Sequence, residues 1–309
     1  NADKGTDSPE AEPDPTTDRP PARLEELKAF DFDALEPQLQ LSYRIYERQT
    51  ERWIESDQYR HTGYAITHQR GPHTSVPSFL INIHRITDLS DASAWVARLE
   101  AVPERFDQEI ARIERRAENH VFAPDWAYPM MIEAAENVIT GAPFDDVGKD
   151  STLLADIKTK LAKIDISNED KSAILASTEK ALLERVRPSY EKLITLLEAH
   201  SALASGDDGI WKVPEGEAYY NMKLRHFTTT DLTAEEIHQL GLENVARIHG
   251  EMRQIVTKVN FEGTLQDFFA FMRTDPQFVL PNTDDGRVEY LRVATNYIDV
   301  MRTRLSEVF

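Results

Sequence analysis

Nine histidines are the residues in this chain best placed to do hydrolytic chemistry: His61, His68, His73, His84, His120, His200, His226, His238 and His249. None falls in an HExxH arrangement, in which two histidines on one helical face hold zinc beside a glutamate base. His238 and His249 are eleven residues apart and would share a helical face, with Glu235 nearby. At 1.5 Å of rise per residue they sit roughly 16 Å apart along the axis, too far to bind one metal. They read as structural or surface groups. There are no cysteines, which removes disulfides, thiolate nucleophiles and Cys-ligated metals together. A GxSxG nucleophile elbow and a GxGxxG fingerprint are absent, and GKDST at 148–152 lacks the upstream glycine of a phosphate-binding loop.

The densest remaining group of chemically capable side chains lies in GIWKVPEGEAYYNMKLRHF, residues 209–227. Trp211, Tyr219, Tyr220, Arg225, His226 and Phe227 crowd around Pro214 and Gly216. Tyrosine hydroxyls and a His or Arg could hydrogen-bond a peptide backbone or a developing oxyanion, so the stretch reads as a loop that suits a cleft wall. It equally suits a loop pinned over a helical bundle by its own rings.

The elements around it are helical almost throughout. Just downstream, Thr233 and Glu236 form a capping box flanked by Leu232 and Ile237, which starts a helix. Its stripe of Ile237, Leu240, Val245, Ile248, Met252, Ile255 and Val259 is expected to pack as a core element. Leu39, Tyr43, Tyr46, Thr50 and Trp53 share one helical face, Ser90 can cap a helix carrying Trp95 and Leu99, and Phe106, Ile110 and Ile113 follow Pro103 at the same spacing. Ser167 with Asp170 opens a long segment through Leu175, Leu182, Val186, Leu193 and Leu197, which Pro188 should kink or divide. Only VPSFLINI at 76–83 looks strand-like. The expected fold class is all-α, a large multi-helix bundle.

Composition bounds the partners. Thirty-five basic against fifty-four acidic residues in 309 give a formal charge of −19, which argues against a nucleic-acid or anionic-membrane surface. No apolar run approaches the roughly 20 residues of a membrane span. Residues 1–22 form an acidic, proline-rich leader expected to be disordered, either a lipoprotein-type tether with an anchor upstream or an ordinary terminus. Loop-like compositions at 141–151 and 205–209 punctuate an all-helical stretch over 23–309, and lobes of 23–145 and 146–309 are one organisation they allow. Leu291, Ala294, Ile298, Met301, Leu305 and Val308 form an amphipathic stripe still running at Phe309, with no stop signal. This raises the expectation that the chain is truncated and that its gene continues.

The succession from Gly209 to Met252 resembles the signature region of the bacterial domain of unknown function 885 family, and residues 68–86, 91–113 and 285–309 resemble further family segments in the same order. The likeness runs from about residue 25 to the end. It implies an all-helical, secreted or lipid-anchored zinc-metallopeptidase-like hydrolase of the periplasm or cell envelope. Family members continue past the point reached at Phe309, and their zinc-binding HE segment and EGWA-type motif lie in that continuation. The resemblance therefore implies an N-terminal half, whose partners are the C-terminal half of the same protein and a peptide substrate. No metal ligand or catalytic residue carries over, and zinc is expected only in the missing half. A supporting place in the substrate cleft carries over to Gly216, Tyr219 and Tyr220, with Arg225 and His226 beside them. The alternative is a non-catalytic helical binding module of the envelope.

Overall fold

A computed structural model of the chain describes residues 19–146 and 148–308. Most of the expected leader therefore lies outside the described residues. Its last four residues are helical rather than disordered, because Pro20 and Pro21 occupy the first turn of α1 (Arg19–Lys28), where no amide is needed, and Leu24 is buried.

The elements that follow are α2 (Pro37–Asp57), α3 (Pro72–Ser78), α4 (Leu89–Glu100), α5 (Val102–Glu118), α6 (Ala127–Val138), α7 (Thr152–Leu161), α8 (Asn168–Ala181), α9 (Arg187–Ser201), α10 (Gly216–Thr228), α11 (Ala234–Lys258), α12 (Leu265–Thr274) and α13 (Asp284–Arg304). Among the described residues no strand forms, and only Ala142 and Asp150 make an isolated bridge. The protein is all-α. It divides into two compact units, one ending at Thr230 and the other starting at Asp231.

The first unit holds the core. Along α4, Ala92, Trp95 and Leu99 recur at helical spacing and are fully buried. On α5, Pro103 sits in the first turn and Phe106, Ile110 and Ile113 turn inward. Leu182, Val186, Leu193 and Leu197 line the buried side of the α8–α9 segment. The packing runs α4 on α8, α5 on α9 and α6 on α9. The Phe106 and Tyr190 rings lie 4.7 Å apart at its centre, with the Tyr190 hydroxyl donating to the His73 carbonyl at 3.3 Å. Pro188 does divide its segment: α8 ends in a π-turn at Leu182–Val186 and α9 restarts with the proline in its first turn.

Three local expectations need correcting. VPSFLINI is not a strand. Pro72 initiates α3, which runs into a π-turn at Phe79–Ile83, and the Lys160 ammonium donates to the carbonyls of Leu80 and Ile81 at 2.7 and 2.9 Å. A lone strand without a neighbour would leave its backbone groups unpaired. The cap of α4 is Asp88, which accepts from the Asp91 amide, and not Ser90. The segment expected as an aromatic loop is a short 3-10 turn (Ile210–Lys212) followed by the regular helix α10.

The second unit comprises α11, α12 and α13. Its caps form as the sequence dictates: Thr233 and Glu236 make the reciprocal capping box of α11, and Thr264 with Asp267 repeats it on α12. Phe261, Phe268, Phe271 and Phe278 form a chain of ring contacts at 5.1 to 6.1 Å. The α11 stripe is not a core element, however. Of the described residues from Asp231 onward, only Val256 and Gly286 are buried, while Leu240, Val245, Ile255 and Val259 stay exposed. The amphipathic pattern is real, but nothing within these residues covers it.

Candidate functional site

The five residues singled out in the sequence all lie on α10, so the site is built from how that helix is seated. Its start is fixed by sterics. Glu215 takes a left-handed conformation (φ 55°) ahead of Gly216, and a Cβ on Gly216 would stand 2.0 Å from the Ile210 carbonyl oxygen. Only glycine fits that close approach. The end is set by Thr229, again left-handed at φ 57°, whose amide donates to the Arg225 carbonyl at 3.0 Å.

Between these ends, one face of α10 meets α2 and the segment that follows it. The Tyr219 ring lies 5.8 Å from that of Tyr59, its hydroxyl borders Gly63, and the Lys223 ammonium sits 5.3 Å over its face. Burial pushes the Tyr219 hydroxyl above its usual pKa, with nearby Arg116 opposing. Met222 is buried and its sulfur accepts from the Ser56 hydroxyl at 3.8 Å. Two turns on from Tyr219, Arg225 Nη2 donates to Glu55 Oε1 at 2.5 Å and His226 Nε2 donates to Glu55 Oε2 at 2.7 Å. The His226 hydrogen bond, together with the Arg225 contact and against partial burial, holds the Glu55 carboxyl below its ordinary pKa.

Three of the five residues therefore have defined partners, Gly216 is a backbone requirement, and Tyr220 is left half exposed. Glu55 is the member that sequence reasoning missed. It lies 170 residues before Arg225 on a helix whose pattern marks only apolar positions, so no local spacing points to it. Arg116 was missed for the same reason: buried on α5, it donates to the carbonyls of Gly63 at 2.8 Å and Arg60 at 2.9 Å and so fixes the segment against which Tyr219 rests.

The approach to α10 carries pinned aromatic rings. Trp211 donates its indole N–H to Asp207 at 3.1 Å and Trp126 donates to Asp208 at 3.1 Å. Lys212 lies 5.7 Å over the Tyr64 ring, whose hydroxyl pKa is raised by burial and by Asp208 and Asp207. Trp211 and Phe227 are 74% and 84% exposed, apolar surface held open to solvent. Chemically, the arrangement is a carboxylate clamped by two donors at the end of a helix whose approach carries exposed rings. Glu55 and His226 are metal-type donors that meet there, at 2.7 Å. No group of three or more such side chains able to hold a metal occurs among the described residues.

The model of the family described as bacterial protein of unknown function (DUF885) matches residues 2–309. The chain belongs to this family. Among solved structures, that of the putative lipoprotein from Colwellia psychrerythraea is similar to it, with a TM-score of 0.85 at 19% sequence identity over 95% of this chain. At that identity the likeness establishes the fold. The chain spans 51% of the length of that structure's chain. No curated protein matches. No helix among the described residues of this DUF885 chain is long and apolar enough to cross a membrane.

Proposed function

We propose that this DUF885 chain is the N-terminal helical half of an exported, lipid-anchored metallopeptidase-like protein, in which it shapes a peptide-binding wall while the metal is held by the C-terminal half. The observation that carries the reading is the lack of burial after Asp231, where the stripes of α11 and α13 lie open. Tyr297 at 69% and Ile298 at 59% exposure are among the large apolar side chains left open there. The occupant this reading assigns to those faces is a C-terminal continuation of the same polypeptide, in keeping with a structural relative about twice as long. The peptidase chemistry rests on the resemblance of residues 209–252 to the family's signature region. Export and anchoring follow the description of the Colwellia protein and the acidic leader.

In this arrangement α10 acts through shape and hydrogen bonding. Glu55 locks Arg225 and His226, which keeps Tyr220 and Phe227 at fixed positions on the wall, and Tyr219 braces the helix against Gly63. A pre-positioned wall of this kind lowers the entropic cost of binding an extended peptide.

The test uses the polypeptide with its continuation. Stoichiometric zinc in the longer protein, none in the 309-residue chain, and peptide hydrolysis that falls in Tyr219→Phe and Tyr220→Phe at an unchanged melting temperature are the expected results. A gene that stops after Phe309, or a full-length protein that binds peptides without hydrolysing them, would replace the proposal with a non-catalytic binding module.

A further inference from the structure

The segment leading to α10 holds two indole rings open to water instead of folding them onto the bundle. Trp126, just before α6, is 48% exposed and Trp211 is 74% exposed. Consecutive carboxylates hold them by their edges: Trp126 Nε1 donates to Asp208 Oδ1 and Trp211 Nε1 to Asp207 Oδ2, both at 3.1 Å. Trp211 lies against bare backbone at Gly209, where a Cβ would stand 2.1 Å from its ring atoms, so any other residue there would push the indole away. The Trp126 ring meets that of His68, with centroids 5.1 Å apart. Both rings are therefore ordered before any partner arrives, which lowers the cost of binding to them.

The chemistry left free at this surface is one-sided. Asp207 also accepts from the Gly209 amide at 3.4 Å, and Asp208 Oδ2 accepts from no described residue. A third carboxylate, Asp125, takes the Trp126 amide at 2.6 Å and stands 3.4 Å from the position a Cβ would occupy on Gly206. All three are exposed, and among the described residues none pairs with a cation. Lys212 stands over the Tyr64 ring instead, its ammonium 5.7 Å from the centroid. Burial, and then the charges of Asp208 and Asp207, raise the Tyr64 hydroxyl pKa, so the field of the pair reaches that ring.

A carboxylate accepts and does not donate, and both indole donors are already engaged. A ligand meets acceptor oxygens and electron-rich rings. An N–H bonded to an anion also pushes density into the indole, which strengthens its attraction for a cation. A sugar presents hydroxyls that need donors as well as acceptors, and these groups offer none. A guanidinium is planar, carries five donors and no acceptor, and stacks on indole faces.

Magnitude decides what must present it. An exposed cation–π contact or ion pair is worth at most about fivefold in affinity, too little to retain a free amine. Several such contacts along one polypeptide multiply, and rings this exposed do not enclose a small molecule. We propose that Trp126 and Trp211, with Asp125, Asp207 and Asp208, form a docking surface for an arginine-bearing polypeptide segment, one guanidinium stacking on the open side of Trp211. The inference stands apart from the peptidase reading, because the 309-residue chain alone carries the surface.

The indole N–H signals of the four tryptophans, in isotope-labelled 309-residue chain, report on this surface by nuclear magnetic resonance. A blocked Gly-Arg-Arg-Gly tetrapeptide should move the Trp126 and Trp211 signals and leave that of buried Trp95 in place. The lysine counterpart should bind more weakly, and the glutamine counterpart at least about fivefold more weakly. Trp211→Ala, read at Trp126, and Asp207→Asn should each weaken the arginine peptide about two- to fivefold, with the melting temperature little changed at such exposed positions. Glu179→Gln removes one exposed charge on α8 and should leave binding as it is, which separates this surface from general attraction to a chain of charge −19. Unmoved Trp126 and Trp211 signals, equal binding of the arginine and glutamine peptides, a lysine peptide that binds as tightly as arginine, equal losses in Glu179→Gln and Asp207→Asn, or matching shifts with the neutral sugar cellobiose would overturn the proposal.

Discussion

Leu193 and Leu291 are the same residue type on amphipathic helices of similar quality, yet the first is fully buried and the second is 64% exposed. The first belongs to a unit in which α4, α5, α6, α8 and α9 enclose one another, and its stripe is closed by neighbours of the same unit. The second belongs to α13, which is capped by Thr283 and well formed but presents its stripe to solvent. What separates the two regions is the presence of a covering partner, not helix-forming propensity. Capping and spacing make a helix locally; burial needs a second surface.

The sharpest way to break this comparison is to cut the same side chain in both regions. Leu193→Ala should cost about 2–5 kcal/mol by denaturant unfolding, the transfer and cavity cost of a core leucine. Its counterpart Leu291→Ala should fall within about 0.5 kcal/mol in the 309-residue chain. Comparable losses at both positions would mean that α13 is covered after all. A second test compares backbone demands. Gly216→Ala drives a Cβ against the Ile210 carbonyl and should cost about 1–3 kcal/mol, seen as a lowered denaturant midpoint.

Smaller again is the Glu55 clamp. Glu55 and Arg225 are each more than a third exposed, so solvent screening limits Glu55→Gln to about 1 kcal/mol or less. The pH dependence has a definite sign. Because the folded pKa of Glu55 is lowered from 4.5, its contribution is complete above 4.5 and is lost as pH falls through the lower folded value. Unfolding curves between pH 3 and 6 for the parent and Glu55→Gln should therefore converge at the acid end. Divergence there would remove the ionised clamp. The smallest effect separates the two units most cleanly: amides of α11 and α13 should exchange with solvent well before those of α5 and α9.

Much of this was legible in the sequence. The 3.6-residue spacing of Trp95 and Leu99 and of Phe106, Ile110 and Ile113, the cap at Ser167 and the capping box at Thr233 each appear where local chemistry places them. Contacts distant in sequence were not legible. Glu55 meets Arg225 and His226 across 170 and 171 residues, and Arg116 reaches Gly63 across 53. VPSFLINI misled because β-branched and aromatic residues read as a strand, whereas Pro72 and the Lys160 ammonium decide in favour of a turn of helix. The apolar stripe of α11 suggested a core because periodicity encodes a face and says nothing about its cover.

The left-handed residues at both ends of α10 have a consequence for evolution and engineering. With Glu215 and Thr229 pinning its ends, the helix cannot lengthen by a residue to absorb an insertion. Tyr219 and His226 are seven positions apart, close to two full turns, so brace and clamp point the same way. One residue inserted between them would rotate His226 by about 100° and put the brace and the clamp out of phase. Substitutions along α10 can be graded, but a change in its length is all or nothing.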